Sequence, residues 1–384
     1  MSSPIPAEQL RYFRKQQRRI VDTIQQFVEI ESPSDVKAAV DRLGTVIRSR
    51  FGELGGKVRV HRVEPAGNHI QVSFPGRREH KPVLLLGHMD TVYPIGTISK
   101  MPFRVSKGRI LGPGVADMKA GIALAFHAIE ALLHWNGGQF PRPLSLLLVS
   151  DEEVGSASSR SLTETLAPGA GAVLVLEPAQ GPQGAVKTAR KGVGGYTLRV
   201  EGRAAHAGLD FEKGQNAILE MSRQICALSG FGDPARGVTI NVGRVTGGTR
   251  PNVVPAEATA SIDVRVRSQQ DAAELHTRIT SLQPCNSQCK VMVTGSINRP
   301  PLERTGGVIM LYEKARSIAK ALGWDLEEAA VGGGSDGNFT AALGVPTLDG
   351  LGAVGGGAHS PEEFAVVSEL PRRAALLAGL IEQV

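Results

Sequence analysis

The sequence is poor in cysteine and in aromatic residues, and it has no long apolar run. Its three cysteines, Cys226, Cys285 and Cys289, are odd in number, so no disulfide framework is expected and a reducing compartment is favoured. Aromatic residues make up 4% of the chain, too few for the stacking surfaces that bind single-stranded nucleic acid. No stretch of about eighteen apolar residues occurs, so no membrane-spanning helix is expected.

The charge is basic overall but mixed along the chain. The 43 lysines and arginines are scattered among 37 acidic residues, and the formal net charge is +6. Neither nucleic acid nor a membrane is therefore expected as a partner. The N-terminal stretch "MSSPIPAEQLRYFRKQQRR" is polar where a secretory signal would be apolar. The sequence as it stands predicts a cytoplasmic protein, and a trimmed secretory leader is the alternative.

The first half of the chain has the pattern of a layered α/β domain. The continuous aliphatic runs "PVLLLGHMD", "LSLLLVSDEE" and "AVLVLEP" are typical of strands that are covered on both faces. Between the first two runs, residues 117–135 carry apolar side chains at spacings of three and four, which indicates an amphipathic helix. Strand, helix and strand in this order predict a mostly parallel sheet covered by helices.

A different pattern begins near residue 190. The segments "YTLRVEG", "VTINVGRVTGG" and "ATASIDVRV" alternate apolar with polar residues, as strands with one solvated face do. Helical segments lie between and after them, and the α/β pattern resumes after "NRPPLE". We therefore expect a larger domain built from residues 1–189 and 298–384, with a smaller α+β domain, residues 190–297, inserted into it.

Ionisable residues gather at the ends of the expected strands, where open α/β sheets carry their chemistry. Carboxylates in such numbers repel one another in a cleft unless cations offset their charge, so a divalent metal pair is expected. Imidazole and carboxylate ligands suit Zn²⁺, with Mn²⁺ and Co²⁺ as alternatives. One carboxylate can bridge two ions, and Asp117 at the head of its helix is placed to do so. The residues are His88, Asp90, Asp117, Glu152, Glu153, Glu177 and His359.

Six motifs carry a family resemblance. In chain order they are "GHMDTVYP", "GPGVADMKAG", "SDEEVGS", "AAHAG", "NVVPAEATASIDVR" and "GAHSPEEF". They resemble the M20 family of dizinc peptidases and amidohydrolases, most closely its glutamate carboxypeptidase branch. The resemblance implies a catalytic α/β domain with an inserted lid or dimerisation domain, and two Zn²⁺ per subunit. It also implies hydrolysis of an amide bond next to a free C-terminal carboxylate, in a small peptide or an N-acyl amino acid.

The resemblance assigns roles to the residues at the strand ends. Asp90 would orient the ring of His88, and Glu152 would be the general base that takes a proton from water and passes it to the leaving amine. On an extended backbone adjacent side chains point apart, so Glu152 and Glu153 could face the water and the metals separately. The metal ligands would be His88, Asp117, Glu153, Glu177 and His359.

Three residues of the inserted domain receive roles by the same resemblance. His206 would reach the neighbouring subunit's site in a homodimer and donate a hydrogen bond to the oxyanion. Asn252 and Arg265 would hold the substrate carboxylate, for which the planar fork of an arginine is suited. A structural histidine and an arginine that is ion-paired on a solvated strand face are the alternatives from the residues alone.

Rival functions remain at this point. An N-acyl-amino-acid deacylase or a desuccinylase would use the same metal centre on differently shaped acyl groups. A metal-binding regulator without catalysis is the alternative from another class, and the presence of Glu152 argues against it.

Overall fold

The computed structural model describes residues 4–77 and 79–384. Its helices are α1 Pro6–Val28, α2 Lys37–Glu53, α3 Thr97–Lys100, α4 Ala120–Trp135, α5 Arg160–Leu166, α6 Ala217–Ser229, α7 Gln269–Thr280, α8 Gly306–Ala321, α9 Gly337–Ala342 and α10 Leu370–Gln383. Its strands are β1 Lys57–His61, β2 His69–Phe74, β3 Val83–His88, β4 Arg104–Ser106, β5 Arg109–Leu111, β6 Leu144–Val149, β7 Ala172–Val175, β8 Val186–Arg190, β9 Gly192–Glu201, β10 Thr239–Gly247, β11 Glu257–Val266, β12 Lys290–Arg299, β13 Glu328–Val331, β14 Thr347–Leu348, β15 Gly355–Gly356 and β16 Phe364–Val366. No helix among the described residues has the length and apolar character that a bilayer crossing requires.

The chain divides into two compact units. The first comprises the chain up to Ala189 together with Arg304–Ala330 and Ser335–Val384. The second comprises Arg190–Glu303 and Val331–Gly334. The second unit thus extends to residue 303 and takes in a short later segment, whereas the sequence pattern placed its end at residue 297.

A six-stranded sheet forms the centre of the first unit, in the order β1-β2-β6-β3-β7-β14. Strand β3 pairs in parallel with β6 and β7, and β14 pairs in parallel with β7. The pairs β1–β2 and β2–β6 are antiparallel. The mixed α/β fold with a parallel-rich sheet is therefore confirmed, and the sequence analysis did not anticipate the antiparallel edge.

Strand β3 is buried on both faces, which explains its unbroken aliphatic run. Leu85 belongs to the large core cluster that includes side chains of α1, α2, α4 and α10. Leu84 and Leu86 belong to a separate cluster that includes Val173 and Val175. Side chains alternate across a strand, so each face receives leucines, and a fully buried leucine contributes about 1.5–3 kcal/mol.

The chain between β5 and α4 contains an irregular turn. Val115–Lys119 form one helix-like turn in which Asp117 and Met118 have non-helical backbone angles, and the Asp117–Met118 peptide is cis. The regular helix begins at Ala120, so Asp117 lies just before the helix rather than at its first residue. In the first turn of α4, Gly121 lies so close to the strand end that a Cβ atom would come within 2.1 Å of the Leu176 carbonyl oxygen.

The second unit contains a four-stranded antiparallel sheet in the order β10-β11-β9-β12. The apolar residues of β9, such as Leu198 and Val200, form a core with residues of α6 and α7, whereas Arg199 between them is exposed. The alternating pattern of the sequence is therefore present in this sheet. Strand β10 lies at the sheet edge, and all of its residues are exposed or half-buried.

Candidate metal centre

Three neighbouring strands deliver acidic and imidazole side chains to one end of the first unit's sheet. Strand β3 ends at His88, β6 leads into the turn Glu152–Val154, and Glu177 follows β7 by two residues. Because β3 lies between β6 and β7 and is parallel to both, the carboxyl ends of the three strands meet.

The side chains form a compact cluster around Asp117. The Nε2 atom of His88 lies 3.0 Å from Asp117 Oδ1 and 3.5 Å from Glu177 Oε1. The Nε2 atom of His359 lies 3.5 Å from Asp117 Oδ2 and 3.2 Å from Glu153 Oε2. Each oxygen of Asp117 therefore faces a different imidazole, which is the arrangement that a carboxylate bridging two cations needs.

The donor set fits a pair of divalent cations. Candidate ligand atoms of His88, Asp117 and Glu153 all lie within 4.8 Å of one another, and so do those of His88, Glu152 and Glu177. Within the described chain the buried Oε1 atom of Glu153 has no hydrogen-bond partner. A buried carboxylate oxygen without a donor calls for an explanation such as an ion, and a cation between the clustered oxygens and nitrogens supplies one.

The carboxylates of the cluster raise the pKa of both imidazoles. Burial by itself lowers the pKa of His88, but hydrogen bonds led by Asp117 and Asp90 outweigh burial and hold this pKa well above its usual range. Hydrogen bonds to Asp117 and Glu153 raise the pKa of His359 to about 10. Because His must lose its proton to become a ligand, metal binding at this cluster releases protons.

Asp90 ties the first imidazole to the acidic turn. The Nδ1 atom of His88 lies 2.9 Å from the main-chain oxygen of Asp90 and 3.5 Å from its Oδ1. The main-chain oxygen of Asp90 is thus closer to the ring than its carboxylate is. The fully buried carboxylate accepts hydrogen bonds from the N–H groups of Glu152, at 3.3 Å, and Glu153, at 3.2 Å.

The two glutamates after β6 do not lie on an extended backbone. Glu152–Val154 form a short 3₁₀ turn that ends at Gly155, whose φ is 100°. The premise that adjacent side chains point apart as in a strand is therefore wrong. The turn itself allows both side chains to face the cluster, since ligand atoms of Glu152 and of Glu153 each lie within 4.8 Å of an atom of His88.

His359 lies on a loop and is the solvent-exposed imidazole of the cluster. Its side chain is 52% exposed, whereas that of His88 is 1% exposed. Its backbone φ is 64°, which is uncommon for a residue with a Cβ atom and costs about 1–3 kcal/mol. Such strain is concentrated at functional sites because the surrounding contacts maintain it.

His206, Asn252 and Arg265 all belong to the second unit. The ring Nδ1 of His206 accepts hydrogen bonds from the N–H groups of Gly208, at 3.1 Å, and Leu209, at 3.2 Å. Asn252 is exposed, and its main-chain oxygen accepts the N–H of the residue after His206, which makes the two positions neighbours. Arg265 forms a two-point ion pair with Asp263 on the sheet, with both distances 2.9 Å.

Two buried side chains at the cluster were missed by the sequence analysis. The hydroxyl of Ser34 donates to Asp90 Oδ2 at 2.6 Å. Glu363 accepts three backbone N–H groups of the segment that carries Asp117. Ser34 lies 56 residues from Asp90, so no local spacing links them. Glu363 lies inside the quoted motif "GAHSPEEF", and its position there was the available signal.

Comparison with known proteins gives the family. The profile of peptidase family M20/M25/M40 matches residues 84–383. The chain belongs to this family. Carboxypeptidase G2 of Pseudomonas sp. (strain RS-16) is 31% identical to this M20 chain over 375 residues, which cover 95% of the chain and 89% of the carboxypeptidase.

Solved structures agree with the M20 assignment. The aminopeptidase PepT from Bacillus cereus ATCC 10987 has a TM-score of 0.79 at 25% identity, covering 95% of the M20 chain and 98% of its own. The Bacillus subtilis YXEP protein, described as a dinuclear metal binding peptidase from the M20 family, has a TM-score of 0.69 at 16% identity, covering 96% and 98%. The chain is thus an M20 hydrolase with the fold of its family and with groups of residues suited to metal binding.

Proposed function

We propose that this chain is a dinuclear metal hydrolase that cleaves an amide bond next to a free C-terminal carboxylate, in the manner of a glutamate carboxypeptidase. The observation that carries the proposal is the placement of Asp117, with one oxygen toward His88 and the other toward His359. The similarity to carboxypeptidase G2 over 95% of the chain supports the substrate class.

The proposed ligands divide into two sets that share Asp117. His88 and Glu177 lie on one side, and His359 and Glu153 lie on the other. We propose Zn²⁺ as the resident ion, because mixed imidazole and carboxylate sites suit it, with Mn²⁺ and Co²⁺ as alternatives. When bound, such a pair of cations activates water and polarises a carbonyl group.

Glu152 is the proposed proton carrier. Its main-chain N–H is fixed by Asp90, and its carboxylate lies within reach of the ligands His88 and Glu177. From this position the carboxylate takes a proton from the attacking water and delivers it to the nitrogen of the leaving amine. Asp90 contributes by holding both the ring of His88 and the turn of Glu152.

Residues of the second unit are proposed to bind the substrate. Because the Nδ1 atom of His206 accepts two N–H groups, the neutral ring carries its proton on Nε2. His206 is therefore set up as a hydrogen-bond donor, as an oxyanion partner must be. Arg265 uses two of its five N–H donors on Asp263, and the others are available for a carboxylate. Asn252 is the proposed second partner of that carboxylate.

A substrate screen tests the reaction class. Purified protein reconstituted with Zn²⁺ is assayed on dipeptides and folate-like substrates ending in glutamate, and on N-acetyl and N-succinyl amino acids. We expect cleavage of the C-terminal glutamate substrates with a higher kcat/KM than of the simple N-acyl amino acids. The reverse order would favour the deacylase or desuccinylase alternative, and no metal-dependent hydrolysis of any amide would sink the proposal.

The role of Glu152 is tested by Glu152→Gln, with Glu8→Gln on the exposed face of α1 as the control. The amide cannot accept the proton, so we expect kcat to fall by about 10²–10⁴-fold while both metals are retained. Full turnover in Glu152→Gln, measured with metal content confirmed, would contradict the assignment.

We also propose that the chain forms a homodimer through its second unit. Strand β10 presents an unpaired edge, and exposed edges of this kind are templates for pairing with another chain. Large apolar side chains are exposed on the same unit, including Leu219 at 51% and Val245 at 48%. Sedimentation should give a dimer for the wild type and a monomer for Val245→Lys with Leu219→Lys, and a monomeric wild type would refute this proposal.

A further inference from the structure

Glu363 is a buried carboxylate to which the chemistry above gives no task. Its side chain accepts the backbone N–H groups of Gly114 at 2.9 Å, Ala116 at 2.7 Å and Asp117 at 2.9 Å. The residue has 0% exposure. A buried carboxylate is costly unless donors surround it, and here the three backbone donors come from the segment that ends at Asp117.

The backbone of Glu363 belongs to the loop that carries His359, on the opposite side of the cluster from His88. This loop connects β15 to β16 and carries His359. Within the loop the N–H of Glu363 donates to the Ser360 carbonyl oxygen at 3.2 Å, and the hydroxyl of Tyr93 donates to the same oxygen at 2.9 Å. Glu363 therefore joins the loop of His359 to the segment of Asp117.

The segment of Asp117 needs an external anchor. Gly114 has a φ of 71°, and Asp117 has non-helical angles, so the regular hydrogen bonds of α4 do not fix this stretch. The Asp117 carboxylate nevertheless has to present one oxygen to each side of a dinuclear centre. Functional groups of this kind work only when they are held to within about 0.5 Å by surrounding contacts.

We propose that Glu363 is a positioning residue that fixes the bridging carboxylate Asp117 relative to His359. The inference rests on the proposed dinuclear function. Glu363 binds main-chain amides, so it acts through Asp117 and does not contact the substrate. Its loss should displace the Asp117 carboxylate and weaken binding of the ion that Asp117 and His359 would hold together.

The test compares Glu363→Gln, Glu363→Asp and the control Glu362→Gln. Glutamine keeps the size of the side chain but turns an NH₂ group toward backbone donors, whereas Glu362 is the exposed neighbour in the same loop. Three quantities are measured on the full chain: Zn²⁺ affinity by competition with a chelating dye, the visible spectrum of the Co²⁺ form, and the melting temperature of the metal-free protein.

We expect Glu363→Gln to bind at least one Zn²⁺ about 10–100-fold more weakly and to change the Co²⁺ spectrum. We expect kcat to fall by a larger factor than KM rises, a smaller defect in Glu363→Asp, and wild-type values in Glu362→Gln. Wild-type affinity and spectrum in Glu363→Gln would overturn the inference, even if the metal-free protein melts at a lower temperature.

Two further outcomes are informative. If Glu363→Gln does not fold, Glu363→Asp decides, since weakened Zn²⁺ binding supports the inference and wild-type binding overturns it. If the wild type binds two metals but cleaves no amide, the proposed function fails while the affinity comparison still tests Glu363. The two failures are therefore distinguishable.

Discussion

At the scale of single residues, the Asp90 carboxylate connects the turn of Glu152 and Glu153 with Ser34, which lies far from them in sequence. One of its carboxylate oxygens receives the N–H of Glu152, and the other receives the N–H of Glu153 and the hydroxyl of Ser34. A carboxylate surrounded by donors in this way is held in one orientation. The orientation of the acidic turn thus depends on a serine far away in sequence.

We expect Ser34→Ala to destabilise the protein by about 1–3 kcal/mol, because a buried charged acceptor loses a donor. The matched control is Ser32→Ala, since Ser32 is also buried and its hydroxyl has no hydrogen-bond partner in the described chain. Urea unfolding of the two metal-free variants provides the comparison. Equal free energies of unfolding for the two variants would contradict the role given to Ser34.

At the level of elements, the packing of α4 on the sheet places Asp117. The first turn of this helix lies against the carbonyl of Leu176, the residue before the proposed ligand Glu177, and only a glycine at position 121 fits there. The helix start is therefore fixed against the strand end by backbone contact. A change at Gly121 should move the helix and the Asp117 segment together.

Two glycines in helices test this contact. Gly121→Ala would place a Cβ atom 2.1 Å from a backbone oxygen, whereas Gly44→Ala in α2 would meet its nearest side-chain atoms at an ordinary 3.6 Å. We expect Gly121→Ala to cost about 1–3 kcal/mol and Gly44→Ala to stabilise by about 0.5–1 kcal/mol. Thermal unfolding followed by circular dichroism measures both, and a stabilised Gly121→Ala would show that the approach is not close.

The strand ends were the part of the fold that sequence could predict. A continuous apolar run such as that of β3 predicts a buried strand, and the polar residues directly after it indicate the edge of the sheet where the candidate site lies. The edge strand β1 and its neighbour β2 were not anticipated, because they have half-buried residues and no continuous apolar run. The hydrogen bonds of Ser34 and Glu363 were not predicted for a different reason. Their partners are distant in sequence, and only the folded chain brings them together.

For the whole molecule, the unit that carries the proposed metal ligands predicts which unit loses stability when metal is removed. All five proposed metal ligands lie in the first unit, and none lies in the second. Metal at about 100 times its Kd stabilises the unit that binds it by about 2.7 kcal/mol. Calorimetry before and after chelation should therefore show a lower transition temperature for the first unit, restored by added Zn²⁺. An unchanged thermogram would contradict a bound metal pair.

The interrupted course of the first unit has a consequence for biosynthesis. Four of the proposed ligands are translated by residue 177, but His359 and the strand β14 that pairs with β7 follow only after the second unit. While the second unit is being synthesised, the nascent chain therefore has the carboxylates of the cluster but lacks His359. Tight binding of the proposed second cation would therefore require that the segment carrying His359 has been synthesised and that β14 has joined the sheet.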